Sequence, residues 1–491
     1  MALPVALYST AQVRALDAHA INVLEIPGYT LMKRAGEAAL RYLRTRWPRY
    51  YRIVIVCGGG NNGGDGYVLA RFAQAAGFTV TVLSGVDPES LQGDALQAFK
   101  DFVQSEGRAQ PFSSERLAEG EVIVDALLGT GLRSAVRAEA ASIIEAVNAA
   151  KRPVFAIDVP SGLDSDRGVP LGAAVRADCT VTFVGLKTGL FIGDGPEYAG
   201  TVYFDDLEVP VPAGAQFAPR LSRIIEEEIE QALPRRARAS HKGDFGRVLI
   251  VGGGVGMPGA AHLAGEACLR VGAGLVTVAV APENVAALVA GRPELICLPL
   301  ADPRTLEPAI EQADVIAIGP GLGRTDWARA ALAKVLEASK PLIVDADALN
   351  LIAEQPCRRE DWILTPHPGE AGRLLGIPTD EIQSDRLSAL DRLIERYGGT
   401  VVLKGAGTLV GRAGQPPGLC ERGNPGMATA GMGDVLTGAV AGVFAQCRDT
   451  WQAARVAVLA HAMSGDAAAR GGQRGLLAGD VARELRATIN L

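Results

Sequence analysis

Amide and carboxylate side chains follow three apolar runs in the first half of the chain. Asn61, Asn62 and Asp65 come after RIVIVC, in the segment CGGGNNGGDG, while Asp125 lies in EVIVDALLG and Asp158 in PVFAIDVP. If these runs are parallel strands, the polar groups meet at the carboxyl edge of one sheet, where open α/β sheets bind ligands. There they could bind a ligand, hold a cation or move a proton. The alternative is that Asn and Asp only supply the left-handed backbone angles of tight turns.

A glycine-rich segment in the second half, GNPGMATAGMGDVLTGAVAGVFA (423–445), leads into a long apolar helix. The unpaired N–H groups and the dipole of such a helix N-terminus form an anion site. Asp434 would lie in the first turn, where it could take a proton from a hydroxyl that attacks a phosphate. KGAGT (404–408) lies just upstream and favours this interpretation. The alternative is a capping Asp that only stabilises the helix dipole.

Lys187 and His367 have two interpretations each, and VDADALN has one. Lys187 follows a further apolar run and is either a surface or an active-site lysine. His367, in HPGE (367–370), is either a structural histidine or a ligand-binding one at a strand end. VDADALN (344–350) is explained by a strand end with a helix N-cap.

Two common nucleotide-binding motifs do not explain these segments. GxGxxG occurs in CGGGNNGGDG and in VGGGVGMPGA, but a chain with 59 glycines generates that pattern easily. The first copy lacks an acidic residue at the end of the second strand, which disfavours a hydride-transferring dinucleotide fold. No Gly-Lys dipeptide occurs anywhere, so P-loop ATPase chemistry is excluded.

The elements that must position these groups form two α/β halves. Apolar, β-branched runs alternate with helix-length segments from 52 to 207 and again from 247 to 407, which indicates parallel sheets covered by helices. VPVPAGAQFAP (209–219) breaks the rhythm and is interpreted as a linker. The basic segment PRRARASHKGD is interpreted as a solvated connector, with a phosphate contact as the alternative.

Composition excludes several classes of protein. With 48% hydrophobic and 21% charged residues, the chain is neither disordered nor fibrous. A net charge of −7 argues against binding to nucleic acid. Seven isolated cysteines fit a reducing compartment. The start lacks the basic n-region of a signal peptide, and the longest apolar stretch (435–447) is too short for a membrane span. We therefore expect a soluble, cytoplasmic protein.

The motifs, taken in order, resemble one family: the bifunctional NAD(P)H-hydrate repair enzymes, in which an NAD(P)HX epimerase is fused to an ADP-dependent NAD(P)HX dehydratase. The matching segments are GGGNNGGDG, DALLGTGL, DVPSG, HKGDFGRVLIVGG, GAAHLAGEACLRVGAGLV, GPGLG, VDADALN, TPHPGE, VVLKGAGT and NPGMATAGMGDVLTG. The resemblance implies a Rossmann-like α/β/α epimerase domain over 1–215 and a ribokinase-like α/β/α dehydratase domain over 222–491.

The implied activity is reversal of damage to NADH and NADPH. Water adds across the nicotinamide C5–C6 double bond and gives R and S hydrates (NADHX and NADPHX). The epimerase interconverts them, and the dehydratase restores the S form. By the resemblance, ADP phosphorylates the C6 hydroxyl and phosphate then leaves, which releases AMP. The fused architecture favours ADP over ATP.

The resemblance also implies roles for residues of the first half. Asp158 would be the acid or base at C6, and a potassium ion would be bound by Asn62, Asp125 and Ser161. The phosphates and ribose of the hydrate would be held by Asn61, Asn62, Gly63, Gly64, Asp65, Gly129, Thr130, Gly131, Leu132, Arg133, Ser134 and Ala135.

In the second half, Asp434 would be the catalytic base. The hydrate would also contact Ala260, Gly323 and His367, and the adenine nucleotide, with Mg²⁺, would be held by Lys404, Gly405, Ala406, Gly407, Thr408 and Gly433. Glu370 stands where ribokinase relatives keep a magnesium-ordering Glu, but His367 replaces their usual Asn.

Two other functions fit parts of the pattern. One is a small-molecule kinase of the ribokinase superfamily with a regulatory nucleotide-binding module in front. The other is a nucleotide sensor without turnover, which would not need Asp158 and Asp434. Related domains associate, so we expect a homo-oligomer.

Overall fold

The computed structural model describes residues 3–214 and 217–490. The described chain forms two compact units, which divide between Leu221 and Ser222. Residues 215 and 216 of the predicted linker 209–219 lie outside the described residues. The predicted domain limits at 1, 215 and 491 lie outside them as well.

The first unit is built around a parallel sheet. Its strands are β1 (Ala6–Tyr8), β2 (Arg52–Cys57), β3 (Thr79–Ser84), β4 (Ala109–Pro111), β5 (Val122–Ala126), β6 (Val154–Ile157), β7 (Cys179–Phe183), β8 (Leu186–Lys187) and β9 (Thr201–Asp205). The main sheet has the order β4-β3-β2-β5-β6-β7-β9, and every pair in it is parallel. β1 pairs with β8, with Tyr8 opposite Lys187. Strand order reverses between β2 and β5, so the ligand-binding edge lies at their carboxyl ends.

Helices cover both faces of this sheet. They are α1 (Thr10–Asn22), α2 (Gly28–Arg46), α3 (Asn61–Ala75), α4 (Gly93–Gln104), α5 (Ala138–Ala149) and α6 (Gly195–Ala199). Ile53 and Ile55 of β2 pack into one core with α1 to α4, while Val54 and Val56 pack into a second core with α5. Both faces of β2 are therefore buried, which explains its unbroken apolar sequence.

The second unit has a longer, mixed sheet. Its strands are β10 (Leu221–Arg223), β11 (Arg247–Val251), β12 (Leu275–Val280), β13 (Ile296–Pro299), β14 (Val315–Ile318), β15 (Leu342–Val344), β16 (Trp362–Leu364), β17 (Thr400–Leu403), β18 (Thr408–Arg412) and β19 (Gly418–Cys420). Their order is β13-β12-β11-β14-β15-β16-β17-β18-β19-β10. The run from β13 to β17 is parallel, but β18 is antiparallel to both of its neighbours.

The helices of this unit are α7 (Glu227–Ala232), α8 (Pro258–Arg270), α9 (Val285–Gly291), α10 (Glu307–Gln312), α11 (Asp326–Leu336), α12 (Ala346–Glu354), α13 (Pro368–Leu375), α14 (Thr379–Ser384), α15 (Arg386–Tyr397), α16 (Met432–Cys447), α17 (Thr450–Ala468) and α18 (Ala478–Thr488). α16 is the apolar helix predicted from the sequence, and it is buried along most of its length. A Cβ on Gly438 would lie 1.9 Å from the carbonyl oxygen of Ala264, so only glycine lets α16 pack this closely against α8. No helix among the described residues is long and apolar enough to cross a membrane.

Candidate active sites

The carboxyl ends of the first unit's strands open onto a cleft of about 770 Å³. The predicted residues that line it are Asn61, Asn62, Asp65, Gly129, Thr130, Gly131, Leu132, Arg133, Ser134, Ala135, Asp158 and Lys187. Gly63 and Gly64 serve packing instead. A Cβ on Gly63 would lie 2.0 Å from the carbonyl oxygen of Gly58, and one on Gly64 would lie 2.6 Å from Cε of Met32.

The segment NNGGDG forms the first six residues of a helix. α3 begins at Asn61, and Gly60 is its N-cap residue without a side-chain cap. The first N–H groups of a helix lack intrahelical partners and form a ready anion site. The helix therefore presents N–H groups and polar side chains to the same cleft.

Asn62, Asp125 and Ser161 are buried beside the cleft, where Asn62 and Ser161 both donate to the carbonyl of Leu128. The Ser161 backbone N–H donates to Asp125 Oδ2 (2.7 Å), and the Ser161 hydroxyl donates to Asp125 Oδ1 (2.6 Å). Asn62 Nδ2 donates to the carbonyl of Leu128 (3.0 Å). Asn62 Oδ1 is buried and has no hydrogen-bond partner among the described residues. A hard cation would satisfy that oxygen, and the surrounding carboxylate, hydroxyl and carbonyl oxygens are the ligands it needs.

Burial raises the pKa of Asp125 to about 6, against the lowering effect of hydrogen bonds from Ser161 and from the Leu127 N–H. A bound cation would favour the ionised form of this carboxyl. The cluster therefore fits the predicted cation, although its oxygen ligands do not by themselves specify potassium.

Asp158 lies just beyond β6, in a backbone conformation with φ of +68°. Asp is one of the few residues besides Gly and Asn that adopt this left-handed conformation readily, so the aspartate suits this turn. Lys187 Nζ donates to Asp158 Oδ1 (2.5 Å) and to the carbonyl of Phe183 (2.8 Å). The Lys187 side chain is only 2% exposed, so it is not a surface lysine but part of this site.

Three further carboxyls line the cleft: Asp17, Asp65 and Asp94. Burial raises the pKa of Asp17 to about 6; Lys187 opposes the rise, Asp158 adds to it and Arg14 opposes it. The pKa of Asp65 is raised well above its ordinary value by burial and by the charges of Asp158 and Asp17, with Lys187 opposing. Asp17 was not predicted, because it lies on α1 and no strand end marks it.

In the second unit, Asp434 lies in the first turn of α16. Gly431 is the N-cap residue, with φ of +89°. A Cβ on Gly433 would lie 3.2 Å from Lys404 Nζ and 3.4 Å from Asp345 Oδ2. The start of α16 therefore packs directly against Lys404 and Asp345, and a side chain at position 433 would crowd both groups.

A buried ion pair organises this site. Lys404 Nζ lies 2.7 Å from Asp345 Oδ1 and 3.7 Å from Glu370 Oε2, and the Thr437 hydroxyl donates to Asp345 Oδ2 (2.7 Å). Asp345 occupies the N-cap position of α12 but makes no side-chain cap there. The interpretation of VDADALN as a strand end with an N-cap is correct in position, but the Asp345 side chain contacts Lys404 and Thr437 instead of capping the helix. Asp345 and Thr437 are site residues that sequence reasoning missed.

The carboxyls here have opposite pKa shifts. Burial raises the pKa of Asp434 to about 7, with Asp345 adding and Lys404 opposing. Burial likewise raises the pKa of Glu370 to about 7, against the charge of Lys404. For Asp345, burial alone would raise the pKa, but Lys404 and the Thr437 hydrogen bond bring it below its ordinary value. Asp434 is thus the unpaired carboxyl poised near neutrality, as a general base requires.

His367 and Glu370 hold the start of α13. The His367 N–H donates to Glu370 Oε2 (2.8 Å), and His367 Nδ1 accepts from the Gly369 N–H (3.0 Å). Burial, Lys404 and Arg373 lower the pKa of His367, so the ring is a neutral acceptor. His367 is therefore a capping residue, and half of its side chain remains exposed for a ligand.

Residues 404–407 of the predicted nucleotide segment form the turn between β17 and β18, and Thr408 begins β18. The buried guanidinium of Arg386 donates to the carbonyls of Leu403 (3.2 Å), Lys404 (3.1 Å) and Gly407 (3.4 Å). Gly405 and Gly407 have φ of +128° and +64°, backbone angles that residues with a side chain rarely adopt. Arg386 therefore holds this turn in place, and the shape of the turn requires glycine at positions 405 and 407.

Ala260 lies in the first turn of α8, and the loop after β14 that contains Gly323 packs against the start of this helix, since a Cβ on Gly323 would lie 3.4 Å from Cε of Met257. A Cβ on Gly321 would lie 3.0 Å from Cβ of Ala260, and the Gly323 N–H donates to Asp347 Oδ2 (2.8 Å). No group of three or more His, Cys, Asp or Glu side chains among the described residues could hold a metal ion. A magnesium ion would therefore be held largely by nucleotide phosphates, with one or two carboxylates, as is usual for this ion.

Family models match both halves of the chain. Residues 28–189 match the model described as YjeF-related protein N-terminus, and residues 248–487 match NAD(P)H-hydrate dehydratase. The bifunctional NAD(P)H-hydrate repair enzyme of Coxiella burnetii is 48% identical, over 99% of each chain, and that of Escherichia coli is 42% identical, over 100% of this chain and 95% of its own. The chain belongs to the family of bifunctional NAD(P)H-hydrate repair enzymes.

Solved structures match the second unit of this family member. A ribokinase-like superfamily protein from Enterococcus faecalis is 33% identical, with a TM-score of 0.52 over 55% of this chain and 95% of its own. An ADP/ATP-dependent NAD(P)H-hydrate dehydratase from Bacillus subtilis, crystallised with ATP and Mg²⁺, is 31% identical, with a TM-score of 0.50 over 54% of this chain and 96% of its own. The predicted family and α/β fold class, with a ribokinase-like second half, are confirmed.

Proposed function

We propose that this chain repairs hydrated NADH and NADPH: residues 1–215 epimerise the R and S hydrates, and residues 222–491 dehydrate the S form at the expense of ADP. Family membership over the whole chain supports both activities. The observation that supports dehydration best is Asp434, an unpaired carboxyl with a pKa of about 7 at the N-terminus of α16. It combines a proton acceptor with an anion site in one helical turn.

In the epimerase site, Asp158 is the acid or base at C6. Lys187 holds the Asp158 carboxylate in place by a direct hydrogen bond. The hydrate's phosphates and ribose lie against Asn61, Asn62 and Asp65 of α3 and the loop Gly129 to Ala135, which share the cleft with Asp158. Asn62, Asp125 and Ser161 would hold a potassium ion, which would supply positive charge beside the cleft.

In the dehydratase site, Asp434 takes the proton of the C6 hydroxyl as its oxygen attacks the β-phosphorus of ADP, and AMP leaves. The C6–O bond of the phosphorylated hydrate then breaks, a proton leaves C5, and the C5–C6 double bond returns. Ala260, Gly323 and His367 contact the hydrate. The nucleotide lies on Lys404, Gly405, Ala406, Gly407, Thr408 and Gly433, and Mg²⁺ accompanies its phosphates.

A small-molecule kinase with a regulatory front module is not favoured, because the relatives that share both halves are named as repair enzymes. A sensor without turnover would not need the partly buried carboxyl of Asp434, which has no hydrogen bond or ion pair to any described residue. The expected homo-oligomer, the absence of nucleic-acid binding and the cytoplasmic location stay predictions.

The test uses the full chain with purified S-hydrate and ADP. The near-ultraviolet absorbance of the reduced nicotinamide should return, with one AMP and one phosphate for each molecule restored. Accumulation of a stable phosphorylated hydrate would instead identify a kinase. An R/S mixture should be consumed completely, because the epimerase supplies the S form.

A further inference from the structure

We propose that Asp17 is a second acid–base catalyst of the epimerase cleft and works on the face of the nicotinamide ring opposite to Asp158; this inference rests on the proposed epimerase function.

Helix α1 presents one face to the cleft. Val13, Arg14, Asp17 and Ile21 all line it, at the three- and four-residue spacing that places side chains on one side of a helix. Arg14 also donates to the carbonyl of Thr130 (2.8 Å), in the loop proposed to bind the hydrate. Asp17 is therefore directed at the same space as the proposed substrate.

Backbone contacts hold the start of α1 beside Lys187. In the β1–β8 pair Tyr8 lies opposite Lys187, and the Thr188 hydroxyl donates to the carbonyl of Tyr8 (3.1 Å). Ser9 then caps the helix with a capping box to Gln12. These contacts keep α1 in place next to the Asp158–Lys187 pair.

The two carboxyls differ in their partners. Asp158 is paired with Lys187, whereas Asp17 has no hydrogen bond or ion pair to any described residue. The charges of Lys187 and Arg14 lower the pKa of Asp17, whereas the charge of Asp158 raises it. The charges of Asp17 and Asp158 in turn raise the pKa of Asp65. Burial raises the pKa of Asp17 to about 6, so this unpaired carboxyl can exchange a proton near neutrality.

Epimerisation at C6 requires groups on both faces of the ring. In one direction Asp17 gives its proton to the C6 hydroxyl, the C6–O bond breaks, water leaves and the N1 lone pair forms an N1–C6 double bond. A water on the other face then attacks C6 and gives its proton to Asp158, and the two carboxyls re-equilibrate through solvent. The reverse direction exchanges their roles. One carboxyl cannot serve both faces of a ring that is held in one orientation.

Oxygen exchange tests this assignment. Each purified epimer is incubated without ADP in ¹⁸O-labelled water, and inversion and isotope uptake at C6 are followed by chromatography and mass spectrometry, with the spontaneous rates subtracted. In Asp17→Asn, inversion should fall ~10²-fold or more, the usual loss for a positioned acid–base group. Exchange should persist in only one epimer, the one whose hydroxyl faces Asp158. Asp158→Asn should leave exchange in the other epimer, and Asp17→Glu should restore part of the inversion.

Asp94→Asn is the matched control, because it removes another carboxylate that lines the cleft, and it should invert the hydrates like wild type. Inversion by Asp17→Asn within tenfold of wild type would overturn the assignment. So would equal loss of exchange in both epimers, or an equal defect in Asp94→Asn. Far-ultraviolet circular dichroism verifies folding. A wild-type chain that does not invert either epimer refutes the proposed function instead.

Discussion

Dehydration by the second site should lose activity as the pH falls through neutrality. Asp434 must be ionised to accept a proton, and burial and the charge of Asp345 raise its pKa to about 7. At that pKa about one tenth of the carboxyl is ionised at pH 6 and about nine tenths at pH 8, so kcat/KM should rise about tenfold over this range. An Asp with its ordinary pKa, about 4, would be ionised throughout and give a flat profile.

The assay follows initial rates of S-hydrate restoration with ADP in excess. Asp434→Asn should lower the rate by ~10²–10⁴-fold and abolish the pH step, because no proton acceptor remains. Glu370→Gln is the control, since burial also raises the pKa of Glu370 to about 7. This variant should keep the step.

Asp345→Asn tests independently whether neighbouring charges set the pKa of Asp434. It removes a negative charge that raises the pKa of Asp434 and frees Lys404, which lowers it. The midpoint of the profile should therefore move to lower pH. A flat wild-type profile, or a pH step that survives in Asp434→Asn and disappears in Glu370→Gln, would refute the assignment of Asp434 as the base.

Three further outcomes are expected. Gly433→Val should weaken ADP binding sharply in calorimetry, because a Cβ would lie 3.2 Å from Lys404 Nζ and the side chain would cover the N–H groups of the helix start; unchanged affinity contradicts that geometry. Asp125→Ala should slow epimerisation without rescue by added potassium, and wild-type rates in this variant would contradict a role for the carboxylate in the cation site. Asp158→Ala should leave S-hydrate restoration nearly intact but give biphasic kinetics on an R/S mixture, since separate sites act independently; equal slowing of both epimers would indicate one shared site.

Sequence reasoning predicted the parallel sheets because buried parallel strands are apolar throughout. β2 coincides with the run Arg52–Cys57, and the runs that follow contain β3, β5, β6 and β7. Once parallel strands are assigned, their carboxyl ends must share an edge, so Asn62 and Asp158 could be placed in one cleft. That step needs only periodicity and topology.

Residues outside that rule were missed for a physical reason. Asp17 reaches the cleft from α1 through the packing of that helix, which no local pattern encodes. β18 and β19 form short antiparallel pairs after glycine turns, so they lack the long apolar runs of central strands. Arg386 lies in a charged helical segment, and only the tertiary structure shows it buried against the turn after β17.

The two aspartates of the dehydratase site show how one environment can assign two roles. Asp345 and Asp434 are both withdrawn from water, and burial raises the pKa of each. Lys404 and Thr437 contact Asp345 directly, and their combined effect holds its pKa below the ordinary value. Asp434 receives only the more distant charge of Lys404, so burial dominates. A carboxylate that stays charged can hold Lys404 in place, whereas one that titrates near neutrality can exchange a proton with a hydroxyl. The different roles of the two aspartates therefore follow from the contact of Lys404 with Asp345 and not with Asp434.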